Sequence, residues 1–135
     1  SSGEALGYAY LGDYNGTEQE GLARMQFTTA GGRRQSTAVA FLHPALKRSN
    51  LTAITRAHVQ RILFEGKQAT KIEYKKNGRN ILVRAGKEII LSGGTYNSAQ
   101  LLLLSGVGPA NHLRENNIEV VADRKNIGEN LQDHP

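Results

Sequence analysis

Apolar and polar positions follow two regimes along this chain: short strand-like stretches divided by turns in the centre, and unbroken apolar runs further on. From Ala69 to Lys75 apolar residues alternate with charged or polar ones, as on a strand with one buried and one solvated face, and strand-like stretches flank it. Three strands are predicted there: Val59 to Phe64, Ala69 to Lys75 (through Ile72 and Tyr74), and Ile81 to Ala85. Glu65-Gly66-Lys67 separates the first two, and Asn77-Gly78 marks a two-residue hairpin turn before the third. Leu51 to Thr55 reads as a further strand. Ile89, Ile90 and Leu91 are continuously apolar, which predicts a strand over Lys87 to Leu91 buried on both faces.

Ser92, Gly93 and Gly94 then break the pattern. Lacking Cβ atoms, adjacent glycines let the backbone turn sharply and let another group come close. Asn97 or Ser98 is placed to cap a helix, and Leu101 to Leu104, apolar on every side, suit a helix buried between layers. Gly106 offers a left-handed stop, and Pro109 suits the first position of the next helix. That helix is predicted over Ala110 to Glu115, ended by Asn116-Asn117, with a short strand from Ile118 to Val121.

The pattern is weaker before residue 50. Residues 1–21 are polar and glycine-rich, with a turn at Asp13 to Gly16. Leu22 to Ala30 alternates loosely and predicts a strand, followed by a turn at Gly31-Gly32. Ser36-Thr37 is placed to cap a short helix through Ala45, which His43-Pro44 should bend or end. The class is therefore mixed α/β: an antiparallel β-meander inserted beside a parallel sheet.

Composition narrows the picture. At 135 residues the chain matches one ordinary domain, and no apolar run is long enough to span a membrane. The absence of cysteine removes disulfides and thiolate metal sites. The net charge of +5 is uneven: residues 31–90 hold thirteen basic against three acidic side chains, whereas both flanks are net acidic. A basic centre could attract nucleic acid or anionic lipid. However, Lys67, Lys71, Lys75, Lys76 and Arg79 fall in alternating strands or turns without the interleaved aromatics of a base-stacking surface. They read as a solvated sheet face, and no nucleic-acid partner is expected.

Candidate chemistry is sparse. His43, His58, His112 and His134 show no metal-ligand spacing, no serine occupies a nucleophile elbow, and no carboxylate pair suggests acid–base work. No catalytic residue and no metal site are predicted. The strand–glycine turn–helix unit at Ser92 to Gly94 is the strongest feature, since a helix start beside a strand end accommodates anions such as cofactor diphosphates. The same turn also serves packing alone, and both uses remain open. Gly106-Val107-Gly108 follows a helix and lacks the third glycine of a dinucleotide fingerprint.

The block GTYNSAQLLLLSGVGP resembles the second sequence motif of the glucose–methanol–choline (GMC) flavoprotein oxidoreductases. GRRQSTAVAFLHP, NLTAITRAHVQRILF and NIGENLQDHP resemble further blocks of that family in the same order, so the likeness runs from about Asp13 onward. One departure is Ser98-Ala99, where the family usually has Ser-Pro. The resemblance implies an FAD-binding, glutathione-reductase-like fold and oxidation of a small-molecule alcohol by hydride transfer to FAD. It implies that Val59 binds the FAD adenine through its backbone, and that Ser92, Gly93 and Gly94 form the turn packed near the ADP portion. Gly93 stands where the family has alanine. Glu88, Ser98 and Ser105 are expected to fix local structure, and so is His134, which does not match the family's catalytic base.

The expected organisation is a substrate-domain-like lead-in over 1–47, a partial FAD-binding domain over 48–109, and a helix, short strand and NLQDHP loop over 110–135. On this reading the chain is an internal portion of a longer enzyme and is inactive by itself. A non-catalytic module that keeps the sheet but binds no flavin is the competing expectation.

Overall fold

The computed structural model describes residues 2–133, so His134 lies outside the described residues. The chain divides into two compact units, Ser1–Ala53 and Ile54–Pro135.

In the first unit regular structure is brief. A parallel pair joins Tyr10–Leu11 to Leu22–Ala23, and an antiparallel pair joins Thr29–Ala30 to Arg33–Arg34 around Gly31 and Gly32. The strand expected over Leu22 to Ala30 is thus split into two short bridges. Met25 and Phe27 are 75% and 69% exposed, so the alternating positions there have no face to bury against. A helical turn over Ala38–Leu42 has the wide π geometry and runs into an α-turn at His43–Ala45. The Val39 N–H donates to Ser36 Oγ at 3.3 Å. The chain does not bend at His43-Pro44; His43 keeps helical angles of φ −59° and ψ −44°. Pro44 falls in the first turn of the α segment, where no N–H is required, and the wider turn before it accommodates the ring.

The second unit is built on a three-stranded antiparallel meander, β1 (His58–Glu65), β2 (Gln68–Lys76) and β3 (Arg79–Arg84), with β2 in the middle. Asn77 and Gly78 both have positive φ, +50° and +77°, as a two-residue hairpin of matching twist requires. The register sorts the faces. Ile62 pairs with Ile72, Ile72 with Val83, and Tyr74 with Ile81, while Arg61 lies opposite Glu73 and Lys71 opposite Arg84. Ile62 and Tyr74 are buried at 5% and 7% exposure. On the charged face Arg61 Nε contacts Glu73 Oε2 at 2.6 Å and Lys71 Nζ contacts Glu65 Oε1 at 3.2 Å. The Lys71 ammonium accordingly holds the exposed Glu65 carboxyl below the usual carboxylate range.

Helix α1 (Gly94–Leu104) packs on β1. It begins earlier than Asn97 or Ser98 would dictate: Gly93 occupies the cap position and no side chain caps the helix. Gly94, at φ +80°, swings the chain directly into the helix, a conformation that costs little only for glycine. The helix stops at Ser105 and Gly106, the latter at φ +84°. After it, β4 (Val107–Gly108) pairs in parallel with β5 (Ala122–Asp123), and α2 (Ala110–Glu115) lies between them in sequence. Pro109 caps α2 instead of opening it. The last strand lies just beyond the predicted Ile118 to Val121, because the Val121 and Ala122 N–H groups both donate to the Gly106 carbonyl. Leu113 of α2 is fully buried.

Two predicted strands are not formed. Leu51 to Thr55 and Lys87 to Leu91 are irregular, and Ile90 is 76% exposed. A strand exists only where a neighbour completes its ladder, and neither segment has such a neighbour among the described residues. For the same reason the parallel sheet expected beside the meander is reduced, among the described residues of the second unit, to the two-residue β4–β5 pair. Leu101 to Leu104 are not enclosed between layers either: three are half-buried and Leu104 is 50% exposed.

Candidate functional site

Val59 stands near the start of β1, and Ser92 to Gly94 stand at the start of α1. The fold brings the two together. A cleft of about 440 Å³ is lined by Ala57, His58 and Val59 on one wall and by Ile89 to Gly93 with Asn97 and Ser98 on the other. Ile72, Leu101 and Leu104 close its floor. Gly94 does not line the cleft, but its left-handed conformation creates the bend that presents Ser92 and Gly93. A Cβ on Gly93 would already sit 3.2 Å from the Cβ of Asn97, so a larger residue there would press on the helix start.

The β1 wall is irregular in a useful way. Arg56, just before it, holds a left-handed φ of +54°, uncommon for a non-glycine residue. The β1–β2 register then slips between Val59 and Arg61, the mark of a β-bulge, which leaves Gln60 without a residue opposite. Bulges re-aim a strand at its end, and β1 is an edge strand of the meander, with β2 on one side only. Val59 is 36% exposed.

Isoleucine and leucine side chains with a few polar groups line the cleft, and no lysine or arginine is among them. Such a surface suits a flat, uncharged, hydrogen-bonding group such as an adenine ring better than a diphosphate. Its volume falls within the roughly 300–1,000 Å³ usual for small-molecule sites. The residues present therefore fit the adenine end of FAD. A larger cleft, of about 700 Å³, is lined by Leu104, Ser105 and Gly106 and contains none of the expected cofactor residues Val59, Ser92, Gly93 and Gly94.

Of the residues expected to fix local structure, Ser105 does so most clearly: its hydroxyl donates to the Leu101 carbonyl at 2.5 Å and accepts the Ile62 N–H at 2.8 Å. Ser98 is a half-buried part of the cleft wall, and Glu88 is exposed. The roles of Arg56 and the bulge carry no sequence signal, since a positive φ at arginine has no compositional mark. Among the described residues no group of three metal-ligating side chains gathers, and no helix is long and apolar enough to cross a membrane.

The meander, joined to a glycine turn and helix with a cleft of small-molecule size between them, defines a mixed α/β module. The whole chain, residues 1–135, matches the GMC oxidoreductase family model, and the chain belongs to that family. It is 50% identical over 131 residues to the mitochondrial choline dehydrogenase of Homo sapiens, covering 97% of this chain and 22% of that protein. It is 47% identical over 133 residues to the oxygen-dependent choline dehydrogenase of Sinorhizobium medicae, covering 98% of this chain and 24% of that one. A solved structure of Aspergillus oryzae formate oxidase, described for its FAD modification, superposes with a TM-score of 0.85 at 25% identity over 98% of this chain and 23% of its own. The chain thus spans about a quarter of the length of these relatives.

Proposed function

We propose that the protein carrying this chain is an FAD-dependent oxidoreductase acting on the CH–OH group of a small-molecule alcohol. FAD, when bound, supplies the acceptor for the hydride that leaves the alcohol carbon. The described residues hold the adenine end. Backbone groups of Val59 on the edge strand would hold the edge of the base, and Ser92-Gly93 would let the ADP portion approach the start of α1. Ile72, Ile89, Leu91 and Leu101 exclude water from that contact. In this reading the meander and cleft belong to a glutathione-reductase-like FAD domain spanning 48–109. Residues 1–47 are a substrate-domain-like lead-in, and 110–135 form a helix, strand and loop leading onward. The relatives named for choline suggest a small amino alcohol as one donor to test. The observation that carries the proposal is the meeting of Val59 with Ser92 and Gly93, remote in sequence, in one cleft.

The test is FAD titration of the full-length apoprotein and of its Gly93→Val variant, followed by flavin fluorescence. The side chain added at Gly93 should weaken FAD binding at least roughly 10-fold, because it fills a cleft wall that has no spare room. Val59→Ala should bind almost normally, because the contact is made by backbone. Undiminished affinity in Gly93→Val would remove the cleft from the cofactor site. The 135-residue chain alone is expected to reduce no dye in the presence of alcohol.

A further inference from the structure

We infer that Ser105 is a positioning residue for the cofactor: its hydroxyl sets the place of Val59 against the helix that begins at the Ser92–Gly94 turn. The inference rests on reading the cleft as the adenine site.

Ser105 is 7% exposed and stands at the end of α1, where its own N–H is shared among the Leu101, Leu102 and Leu103 carbonyls. Its Oγ donates to the Leu101 carbonyl, which satisfies any purely local role. The same oxygen also accepts the Ile62 N–H, 43 residues away in sequence. Ile62 is buried, and its N–H is used on the side of β1 that β2 does not cover. Without the hydroxyl that donor would be enclosed and unpaired.

The position of Ile62 gives the bond its consequence. The bulge between Val59 and Arg61 loosens the hold of β2 on the start of β1, so β2 alone does not specify where Val59 sits. The Ser105–Ile62 bond fixes the strand from its other edge, directly after the bulge. The anchor is itself rigid. Gly106 follows at φ +84°, a Cβ there would collide with the Glu119 carbonyl oxygen, and the Gly106 carbonyl accepts two N–H groups from residues 121 and 122. One hydroxyl therefore joins the two elements that form opposite walls of the cleft. Leu101 and Leu104, from the same last turn of α1, complete the cleft floor.

The test compares FAD and FMN affinities of the full-length apoprotein by fluorescence quenching. FMN carries the flavin but not the adenylate, so the FAD-to-FMN ratio isolates the adenine contact. Ser105→Ala should lose roughly 10-fold in FAD affinity with FMN affinity unchanged, and Ser105→Thr, which keeps the hydroxyl, should recover most of the loss. Leu113→Ala serves as the stability control: it removes a fully buried side chain that lines no part of the cleft, and should lower the melting temperature without moving the ratio. If Ser105→Ala melts earlier but keeps the wild-type ratio, Ser105 is only a packing residue and the inference is wrong. A wild-type protein that shows no preference for FAD over FMN removes the adenine reading itself, a failure visible before any variant is made.

Discussion

The two units of this chain use similar residues to different effect. Residues 2–53 hold Leu6, Met25, Phe27 and Phe41, all more than two-thirds exposed, and none of the described side chains there is buried. Strand pairing in that unit never exceeds two residues per strand. In residues 54–133 the strands of the meander run for 6 to 9 residues and bury Ile62 and Tyr74. Apolar content does not separate them. What does is whether consecutive strands can pair through tight turns, so that one face becomes continuous and α1 can cover it. In the first unit local polar bonds substitute for a core: the Asn15 N–H and Gln26 Nε2 both donate to Asp13 Oδ1, at 2.9 and 2.8 Å.

If the second unit is held by its small core and its joint, damage there should be large. Leu113→Ala removes a fully buried side chain and should cost about 3–4 kcal/mol in urea unfolding of the 135-residue chain. A loss under about 1 kcal/mol would mean that α2 does not contribute to the core. Gly106→Ala should cost about 3 kcal/mol, from the left-handed backbone and the collision with the Glu119 carbonyl, and repacking should not recover it. Asn77→Ala, at φ +50° in the hairpin, should cost about 1 kcal/mol and speed amide exchange in β2 and β3 before β1.

The smallest effect is expected in the first unit, on acidification. The N–H donors of Asn15 and Gln26 hold the Asp13 carboxyl below its ordinary pKa of 3.8. With the folded pKa depressed, the bond contributes fully above that ordinary value and fades as pH falls through the lower folded one. Asn15 amide exchange, corrected for intrinsic pH dependence, should therefore rise only below the ordinary aspartate range, while Asp13→Asn should abolish the step. Because this carboxyl is fully exposed, the unfolding midpoint of the second unit should not follow it.

Features set by neighbouring residues were legible in advance. The Asn77-Gly78 hairpin, the Gly106 stop and the end of α2 at Asn116-Asn117 each follow from local side chains, and Gly78, Gly106 and Asn117 take the positive φ that those residue types tolerate. Features that need a distant partner were not. Lys87 to Leu91 has the composition of a doubly buried strand, yet with no adjacent strand among the described residues it is irregular. Capping at Asn97 or Ser98 was a sound local expectation that lost to the Gly93-Gly94 turn, which starts the helix without a side-chain cap.

The candidate site divides along the same line. Sequence by itself determined the family resemblance, which singled out Val59 and Ser92-Gly93-Gly94 as candidate cofactor residues because they sit in blocks that resemble one family in order. Only the tertiary structure decided that Val59, Ser92 and Gly93 line one cleft, that the β1–β2 register slips beside Val59, and that Ser105 ties the strand to the helix. The physical reason is range. Backbone angles and turn types depend on one or two residues, whereas a cleft wall and a hydrogen bond across 43 residues exist only once β1 and α1 have packed.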